Sequence, residues 1–404
     1  MSSHGTPTLE SDALAWILGL GDSADFVAER LGRSWYHAES SDRSRFSGLL
    51  SLSELDEILG THAIKHPGVK LVRADQDVPV TEYLWRDQMV DPVQVARLFA
   101  EGATVVFGAL HDRHEGMRRL CHELARQATA RTQTNIYVTP PNAQGFKPHW
   151  DTHDVFVLQT EGSKLWRMYG GGPEFPLRDD KFDPARHAPG DVEAEFTLEA
   201  GEALYIPRGI MHAAVTTEDV SLHVTLGVMP YTWGDLVVDC LSEVADRSAA
   251  WRENVPFGLA RRDPDGRELR DSLAERLGAL AADVDLAAVL AERQRAFEAV
   301  FRPRAGDLMR SAAAAGRVGP DDDVRWRDGI DGRLEHRDGR AVLIGATREV
   351  DVPAAAGRTL EILLTRAIAR AGELDDGLDW ESRRVVLEML VREGFVRVEP
   401  DTSP

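Results

Sequence analysis

The sequence PHWDTHDVFVLQ at residues 148–159 decides how this chain can be interpreted. It carries His149 and Asp151, and a second histidine, His212, follows 61 residues after Asp151. Two histidines and one carboxylate can occupy three corners of one face of an iron octahedron, which leaves three positions open for other ligands. The pattern therefore predicts a metal site made of His149, Asp151 and His212.

Short strands flank both parts of this candidate site. Residues 154–159 form an apolar run rich in β-forming residues, and after a turn residues 164–169 predict a return strand. The apolar strand predicted at 203–206 stops at a Pro-Arg-Gly turn, and His212 follows that turn. A strand, a turn and then a ligand at both places is typical of a small β-barrel that presents side chains at its mouth.

These residues resemble the motifs of the JmjC and cupin oxygenases, and in particular those of the ribosomal oxygenases, which hydroxylate single residues in ribosomal proteins. The matching motifs are HWD at 149–151, DVFVLQ at 154–159, GSKLWR at 162–167, YIPRGIMH at 205–212 and WGD at 233–235. The resemblance implies an α+β protein with a double-stranded β-helix (jelly-roll or cupin) barrel. A helical bundle module and a winged-helix-like C-terminal domain would follow the barrel.

The pattern of the remaining sequence fits this order of regions. Apolar residues at helical spacing predict helices at 235–249, 268–282 and 285–302. After an acidic linker at 321–323, the sequence predicts a strand pair at 341–352, helices at 355–371 and 380–393, and a strand at 395–398. We therefore expect a JmjC/cupin catalytic domain with N-terminal helices at 1–235, a helical domain at 236–317 and the winged-helix-like domain at 318–404. The resemblance implies that the helical domain makes a homodimer, whereas the residues alone allow packing within one chain.

Polar residues alternate with apolar ones in two strands of the expected barrel. Residues 135–139 and 221–226 each place a polar set on one face and an apolar set on the other. The polar face lies either in solvent or in a lumen that holds a polar molecule, and the nearby triad favours the lumen. A loop at 170–190, rich in glycine, proline and charge, is expected over the barrel mouth, where a substrate would arrive.

The resemblance also assigns a co-substrate to that lumen. It implies that 2-oxoglutarate chelates two of the open metal positions and that its far carboxylate meets an ammonium group. The residues implied for this role are Lys164, Asn135, Tyr137 and Thr225, and His223 either orients a ligand or is merely packed. An outward-facing strand lysine is the alternative for Lys164.

The implied reaction is an oxygenation that uses Fe(II), 2-oxoglutarate and O2, with no catalytic side chain beyond the metal ligands. Its substrate would be a residue of a ribosomal protein. The lysine at position 164 resembles the histidyl hydroxylases of the family, whereas an arginine there would resemble the arginyl hydroxylases. A histidyl target is therefore favoured, and an arginyl target stays possible. Two alternatives are the same chemistry on a ribosomally made peptide natural-product precursor, and a cupin metalloprotein that does not use 2-oxoglutarate.

The composition of the chain restricts the classes of partner that it can bind. The 404 residues carry a formal net charge of −20, which argues against a nucleic-acid surface and suits a basic ribosomal protein or peptide, although acidity can also serve only solubility. Two cysteines predict no disulfide framework. No membrane-length apolar run and no secretory signal are visible, so we expect a cytoplasmic enzyme with no membrane partner.

Overall fold

Two antiparallel β-sheets carry the apolar run at 154–159 and its predicted partner strands. The computed structural model describes residues 8–399 except 10, 74–75, 264, 268, 301–307, 328–329, 331, 346–347 and 367. Contacts divide the chain into two units, one ending at Pro230 and one beginning at Tyr231. The finer division into three domains stays a prediction.

The strands of the first unit include every strand expected for the barrel. They are β1 (Tyr36–Ala38), β2 (Val69–Arg73), β3 (Gln76–Asp77), β4 (Thr104–Gly108), β5 (Thr132–Thr139), β6 (Asp154–Glu161), β7 (Ser163–Tyr169), β8 (Val192–Glu199), β9 (Ala203–Ile206), β10 (Met211–Thr216) and β11 (Ser221–Val228). The larger sheet has the order β1-β9-β6-β11-β5-β4-β2-β3, and the smaller sheet has the order β10-β7-β8.

Strand β6 is apolar from Val155 to Leu158, and both of its faces are buried there. Its Phe156 and Leu158 belong to the core between the larger sheet and the helices, whereas Val155 and Val157 pack between the two sheets. The apolar residues of β5 and β11 all lie in the first of these cores, so their polar partners face the space between the sheets. The predicted alternation of these two strands is therefore confirmed.

Helices cover the outer face of the larger sheet. The α-helices are α1 (Ala13–Leu18), α2 (Ala24–Glu29), α3 (Leu52–Thr61), α4 (Pro92–Ala100) and α5 (Glu115–Ala128), and Val80–Glu82 and Leu110–Asp112 are 3-10 turns. Helix α5 buries Met117, Leu120 and Leu124 at the helical spacing of three and four residues. This stripe joins Ile136 and Val138 of β5 in one core, which fixes the sheet that carries the candidate site.

The second unit begins with helices and ends with two small sheets. Its helices are α6 (Trp233–Arg247), α7 (Leu259–Arg262), α8 (Arg270–Asp283), α9 (Leu286–Val300), α10 (Leu308–Ala314), α11 (Gly357–Thr365) and α12 (Trp380–Arg392). Its strands are β12 (Asp323–Trp326), β13 (Gly332–Arg337), β14 (Arg340–Gly345), β15 (Glu349–Pro353), β16 (Ile368–Arg370) and β17 (Val396–Glu399). The 3-10 turns are Ala249–Arg252, Ala315–Arg317, Ala354–Ala356 and Ala371–Glu373.

The predicted helices of this unit are largely present. Helices α6, α8 and α9 match the three expected after the barrel, although residues 268 and 301–302 lie outside the described residues. The helix predicted at 355–371 ends at Thr365, because residues 368–370 extend and pair with β12. The two sheets have the orders β16-β12-β17 and β13-β14-β15. Across the described helices, none is long and apolar enough to cross a bilayer.

A buried ion pair holds the C-terminal part together. Asp376 accepts from the Arg383 guanidinium at 2.7 Å and from the Thr359 hydroxyl at 2.7 Å. Arg383 also donates to the carbonyls of Gly372 and Leu378, and its side chain is 10% exposed. Burial raises the pKa of Asp376, but these hydrogen bonds lower it by more. The net shift is downward, so the carboxylate stays ionised.

We expect Arg383→Met to destabilise this part by about 3–5 kcal/mol, because it leaves the Asp376 charge buried without its partner. The measurement is chemical unfolding followed by far-ultraviolet circular dichroism. The matched control is Arg358→Met, which removes a solvent-exposed pair with Glu361 and should cost less than about 1 kcal/mol. Equal loss in both variants would show that the Asp376 network is not structural.

Candidate metal and co-substrate site

The three predicted metal ligands converge at one end of the two sheets. His149 and Asp151 lie just before β6, and His212 is the second residue of β10. The backbone joins the two histidines directly: the His149 N–H donates to the His212 carbonyl at 3.1 Å, and the His212 N–H donates back at 2.8 Å. The Gly209 N–H donates to the carbonyl of Asp151 at 2.9 Å. Main-chain bonds therefore set the spacing of all three ligands.

The side chains present a compact set of donor atoms. One ligand atom from each of His149, Asp151 and His212 lies within 4.8 Å of the others. The Nδ1 atom of His149 lies 2.8 Å from the Lys147 carbonyl, and Nδ1 of His212 lies 2.9 Å from the Ile210 carbonyl. Each Nδ1 therefore carries the proton, and each Nε2 keeps its lone pair toward the shared space.

Burial keeps the His212 imidazole neutral, which metal binding requires. Burial, with a smaller contribution from the neighbouring His149, lowers the pKa of His212 to about 4, while Asp151 opposes the shift. Asp151 Oδ2 lies 3.8 Å from His212 Nε2 and is the single carboxylate of the group. Two imidazoles and one carboxylate on one face fit a first-row metal such as Fe(II).

A cavity lies beside the triad, and most of the residues implied for the co-substrate line it. Its lining combines His149, Asp151 and His212 with Tyr137, Lys164, His223, Thr225, Trp166 and Thr139, among others. Lys164 points inward from β7 and is 5% exposed, so the alternative of an outward-facing lysine is wrong. Tyr137, His223 and Thr225, which lie on the polar faces of β5 and β11, thus line the same cavity as the three candidate metal ligands.

Lys164 is the most unusual group of the cavity. Its ammonium donates to the Thr139 hydroxyl at 2.9 Å, and none of the described carboxylates pairs with it. Burial alone lowers the pKa of Lys164 to about 7. A buried ammonium without a counter-ion is costly, and an anionic ligand in the cavity would supply that counter-ion.

The other residues implied for co-substrate binding differ in whether they line the cavity. Tyr137 and His223 face each other in register and stack with ring centroids 4.9 Å apart. Burial lowers the pKa of His223 well below its usual value, Lys164 adds to this, and its Nδ1 finds no hydrogen-bond partner in the described part of the chain. Thr225 lines the cavity opposite Asn135, but Asn135 itself is not among the described residues that line it.

Two contributors were not assigned from the sequence. Thr139, which holds Lys164 by a hydrogen bond, shares the polar face of β5, and this alternation was the signal that could have identified it. Trp166 stands 6.0 Å from His212 between ring centroids, and its buried Nε1 has no partner within the described residues. Residues two apart on β7 share a face, so Lys164 and Trp166 could have been paired.

The loop expected over the barrel mouth contacts the metal-ligand segment. Phe182 lies 6.0 Å from Trp150 and 6.4 Å from His149, measured between ring centroids. His187 also packs on Trp150, with ring centroids 5.3 Å apart. Because Trp150 stands between two metal ligands, the loop supports the ligand segment from its outer side.

Comparisons with known proteins place this site in a family. A family model described as the JmjC domain matches residues 110–236. Bifunctional lysine-specific demethylase and histidyl-hydroxylase NO66 of Dictyostelium discoideum is 30% identical over 299 residues, which cover 67% of this chain and 56% of that protein. Ribosomal oxygenase 2 of Bos taurus is 40% identical over 133 residues, which cover 31% of this chain and 28% of that protein.

The fold has a solved counterpart as well. The X-ray structure of ycfD from E. coli superimposes with a TM-score of 0.50 at 17% identity and covers 93% of this chain and 97% of that one. A double-stranded β-helix with a His-Asp-His triad defines the class of JmjC and cupin metalloproteins. Within that class, residues 110–236 of this chain belong to the JmjC domain family, and the chain is similar to NO66 and to ribosomal oxygenase 2, which confirms the resemblance read from its motifs. The chain spans only part of the length of its curated relatives, and its match covers 56% of the D. discoideum protein.

Proposed function

We propose that this protein is an Fe(II)- and 2-oxoglutarate-dependent oxygenase that hydroxylates a residue of a ribosomal protein. The observation that carries the proposal is the meeting of two groups in one cavity. One is a triad whose two Nε2 atoms and one carboxylate face the same space. The other is a buried ammonium with no anionic partner among the described residues.

The chain's own residues would act by holding and orienting. His149, Asp151 and His212 would hold Fe(II), and Lys164, supported by the Thr139 hydroxyl, would bind the far carboxylate of 2-oxoglutarate. Tyr137, Thr225 and His223 would complete the wall of that subsite, while Asn135 stays a more distant candidate. When bound, iron and 2-oxoglutarate supply the oxidising chemistry with O2, and the protein supplies geometry and a site that excludes water.

The pKa of Lys164 predicts how co-substrate affinity depends on pH. Below about pH 7 the ammonium is already present, so affinity should be flat. Above pH 7 binding must first protonate the lysine, so affinity should fall by up to about tenfold per pH unit. Titrations of 2-oxoglutarate at several pH values measure this, with Lys164→Arg as the control because its guanidinium stays charged. If the affinity of the unaltered protein depends on pH as little as that of Lys164→Arg, the role assigned to Lys164 is wrong.

The proposed substrate class rests on charge and family. The net charge of −20 complements a basic ribosomal protein, which would be encountered in the cytoplasm, and the charge disfavours a nucleic-acid partner. A histidyl target is favoured, since Lys164 occupies the anchoring position and the NO66 relatives are named histidyl-hydroxylases. An arginyl target stays possible.

The second unit would serve assembly. Its helices α8 and α9 expose leucines at helical spacing, namely Leu273, Leu277, Leu286 and Leu290, which supports a homodimer formed through this region. The sheet β16-β12-β17 with α11 and α12 supports a winged-helix-like domain. Of the acidic residues before the last helix, Asp376 is buried against Arg383, but Asp375, Asp379 and Glu381 stay exposed, which favours a structural or protein-binding role.

The test is anaerobic visible absorption of the purified metal-free protein, to which Fe(II) and then 2-oxoglutarate are added. A charge-transfer band that needs both additions and is absent in His149→Ala would support the proposal. Mass shifts on extracted ribosomal proteins would then identify the substrate, and shifts only on a small peptide encoded nearby would favour the natural-product alternative. Iron binding without a band would favour a cupin metalloprotein that does not use 2-oxoglutarate.

A further inference from the structure

The loop between β7 and β8 is built as a fixed projection beside the metal site. At its start the Gly170 N–H donates to the Asp191 carbonyl at 3.1 Å, and the Gly190 N–H donates back to the Gly170 carbonyl at 2.9 Å. At Gly172 an added Cβ would lie 1.9 Å from the Gly209 carbonyl, so only glycine allows the loop to approach the turn that holds Asp151. Together with the packing on Trp150, these contacts hold the loop in one place.

The tip of this loop presents two apolar side chains to solvent. Phe175 is 51% exposed and Leu177 is 69% exposed. Phe175 has φ of +48°, a left-handed conformation that is rare for a bulky residue and that often accompanies function. A turn fixes Leu177, because its N–H donates to Asp180 Oδ2 at 2.7 Å and its carbonyl accepts from the Asp180 N–H at 3.0 Å.

The exposed ring is tied to the metal site through its neighbour. The Arg208 guanidinium lies 5.4 Å from the centroid of the Phe175 ring, on one face of that ring. The Arg208 N–H donates to Asp154 Oδ1 at 3.1 Å, and the next residue, Gly209, donates to the Asp151 carbonyl. The ring therefore stands beside the turn whose backbone bonds to Asp151, one of the three candidate metal ligands.

The surroundings of the tip are acidic. Residues 170–199 contain eight Asp and Glu residues against three Arg and Lys residues, a net charge of −5, and all eight except Asp183 are exposed. Three of the exposed acids, Glu193, Glu195 and Glu199, belong to β8, the edge strand of the smaller sheet. Acidic side chains around an apolar centre match a partner that is basic and carries apolar residues.

We propose that Phe175 and Leu177, with the acidic residues of 170–199, form a docking platform for a basic, extended segment of the substrate protein that flanks the modified residue. This inference rests on the proposed function, because it assigns the partner from the substrate of that same site. The platform would raise the local concentration of substrate at the cavity without touching the metal or the co-substrate. Its contribution should therefore be to binding and not to the chemical step.

The experiment is fluorescence anisotropy of the full-length protein with a labelled peptide of about 15 residues that combines lysine, arginine and leucine. The comparison peptide has glutamate in place of every basic residue. The double variant Phe175→Ala/Leu177→Ala should bind the basic peptide at least about tenfold more weakly, because burying even part of two such side chains accounts for a decade in affinity. The variant Glu174→Lys/Asp179→Lys should lose a similar factor and most of the salt dependence.

Matched controls lie outside the loop. Val93→Ala removes a comparably exposed apolar side chain on α4, and Asp56→Lys reverses an exposed charge on α3; both should bind like the unaltered protein. If the basic peptide does not bind, or if the loop variants bind it as tightly as the controls, the platform is wrong. The charge-transfer band is recorded in the unaltered protein and in every variant. Absence of the band in the unaltered protein overturns the proposed function. A loop variant that keeps the band but binds the peptide more weakly supports the platform.

Discussion

His212→Ala is expected to abolish Fe(II) binding in the micromolar range while the protein stays folded. His212 is one of three ligands, and its Nδ1 bond to the Ile210 carbonyl aims Nε2 at the shared space. Losing an outer-shell partner of a metal ligand already costs roughly 10–100-fold in affinity, so losing a ligand should cost more. The measurement is a competition titration of Fe(II) or Co(II) under anaerobic conditions.

The matched control for this prediction is His153→Ala. His153 lies in the segment that carries His149 and Asp151 and is half-buried, but it does not belong to the triad. It should leave metal affinity within a few-fold of the unaltered protein. If His212→Ala retains metal at unchanged affinity, the three residues are packed side chains and not a metal site.

Lys164→Met is expected to weaken 2-oxoglutarate binding by roughly 10²–10⁴-fold and to leave Fe(II) binding unchanged. A buried charge pair that loses one partner costs about 3–5 kcal/mol, which corresponds to that factor. The same substitution should leave the free energy of unfolding unchanged or increase it. The reason is that methionine fills a similar volume without an ammonium that is buried and unpaired by any described carboxylate.

Two measurements test these opposite effects. A 2-oxoglutarate titration followed by the charge-transfer band gives the affinity, and chemical unfolding of the metal-free protein gives the stability. Lys70→Met on β2 is the control, because Lys70 is exposed and its replacement should change neither quantity. Lys164→Met with unchanged co-substrate affinity would assign Lys164 to packing, and the cupin alternative would then apply.

The candidate site could be predicted from the sequence where the information is local. The spacing of His149, Asp151 and His212 names the ligands, and the period of two in β5 and β11 names the face that carries Tyr137, His223 and Thr225. These inferences need no knowledge of which strands pair. The strands themselves were also recognisable, because β6 contains the apolar run from Val155 to Leu158, β9 is apolar throughout, and both are bounded by turns.

What the sequence could not supply depends on pairing across long distances. The Thr139 hydroxyl reaches Lys164 only because β5 and β7 lie in sheets that face each other, and nothing in either strand specifies that contact. In the second unit, β12 and β16 were missed because strands of three or four residues have too little pattern, and tertiary pairing ends the helix that propensity would continue. The packing of Phe182 on Trp150 is likewise invisible in a loop sequence.

The reciprocal main-chain bridge between His149 and His212 has a consequence for which ion the protein takes up in a cell. Because hydrogen bonds of the backbone already fix the distance between the two imidazoles, the pocket exists before any ion arrives and has little freedom to contract or expand around one. Affinities of such nitrogen and oxygen sites rise from manganese through iron to nickel and copper, whatever the protein prefers. Loading with iron would then be decided by cellular supply, and the purified protein should readily accept cobalt or nickel in its place.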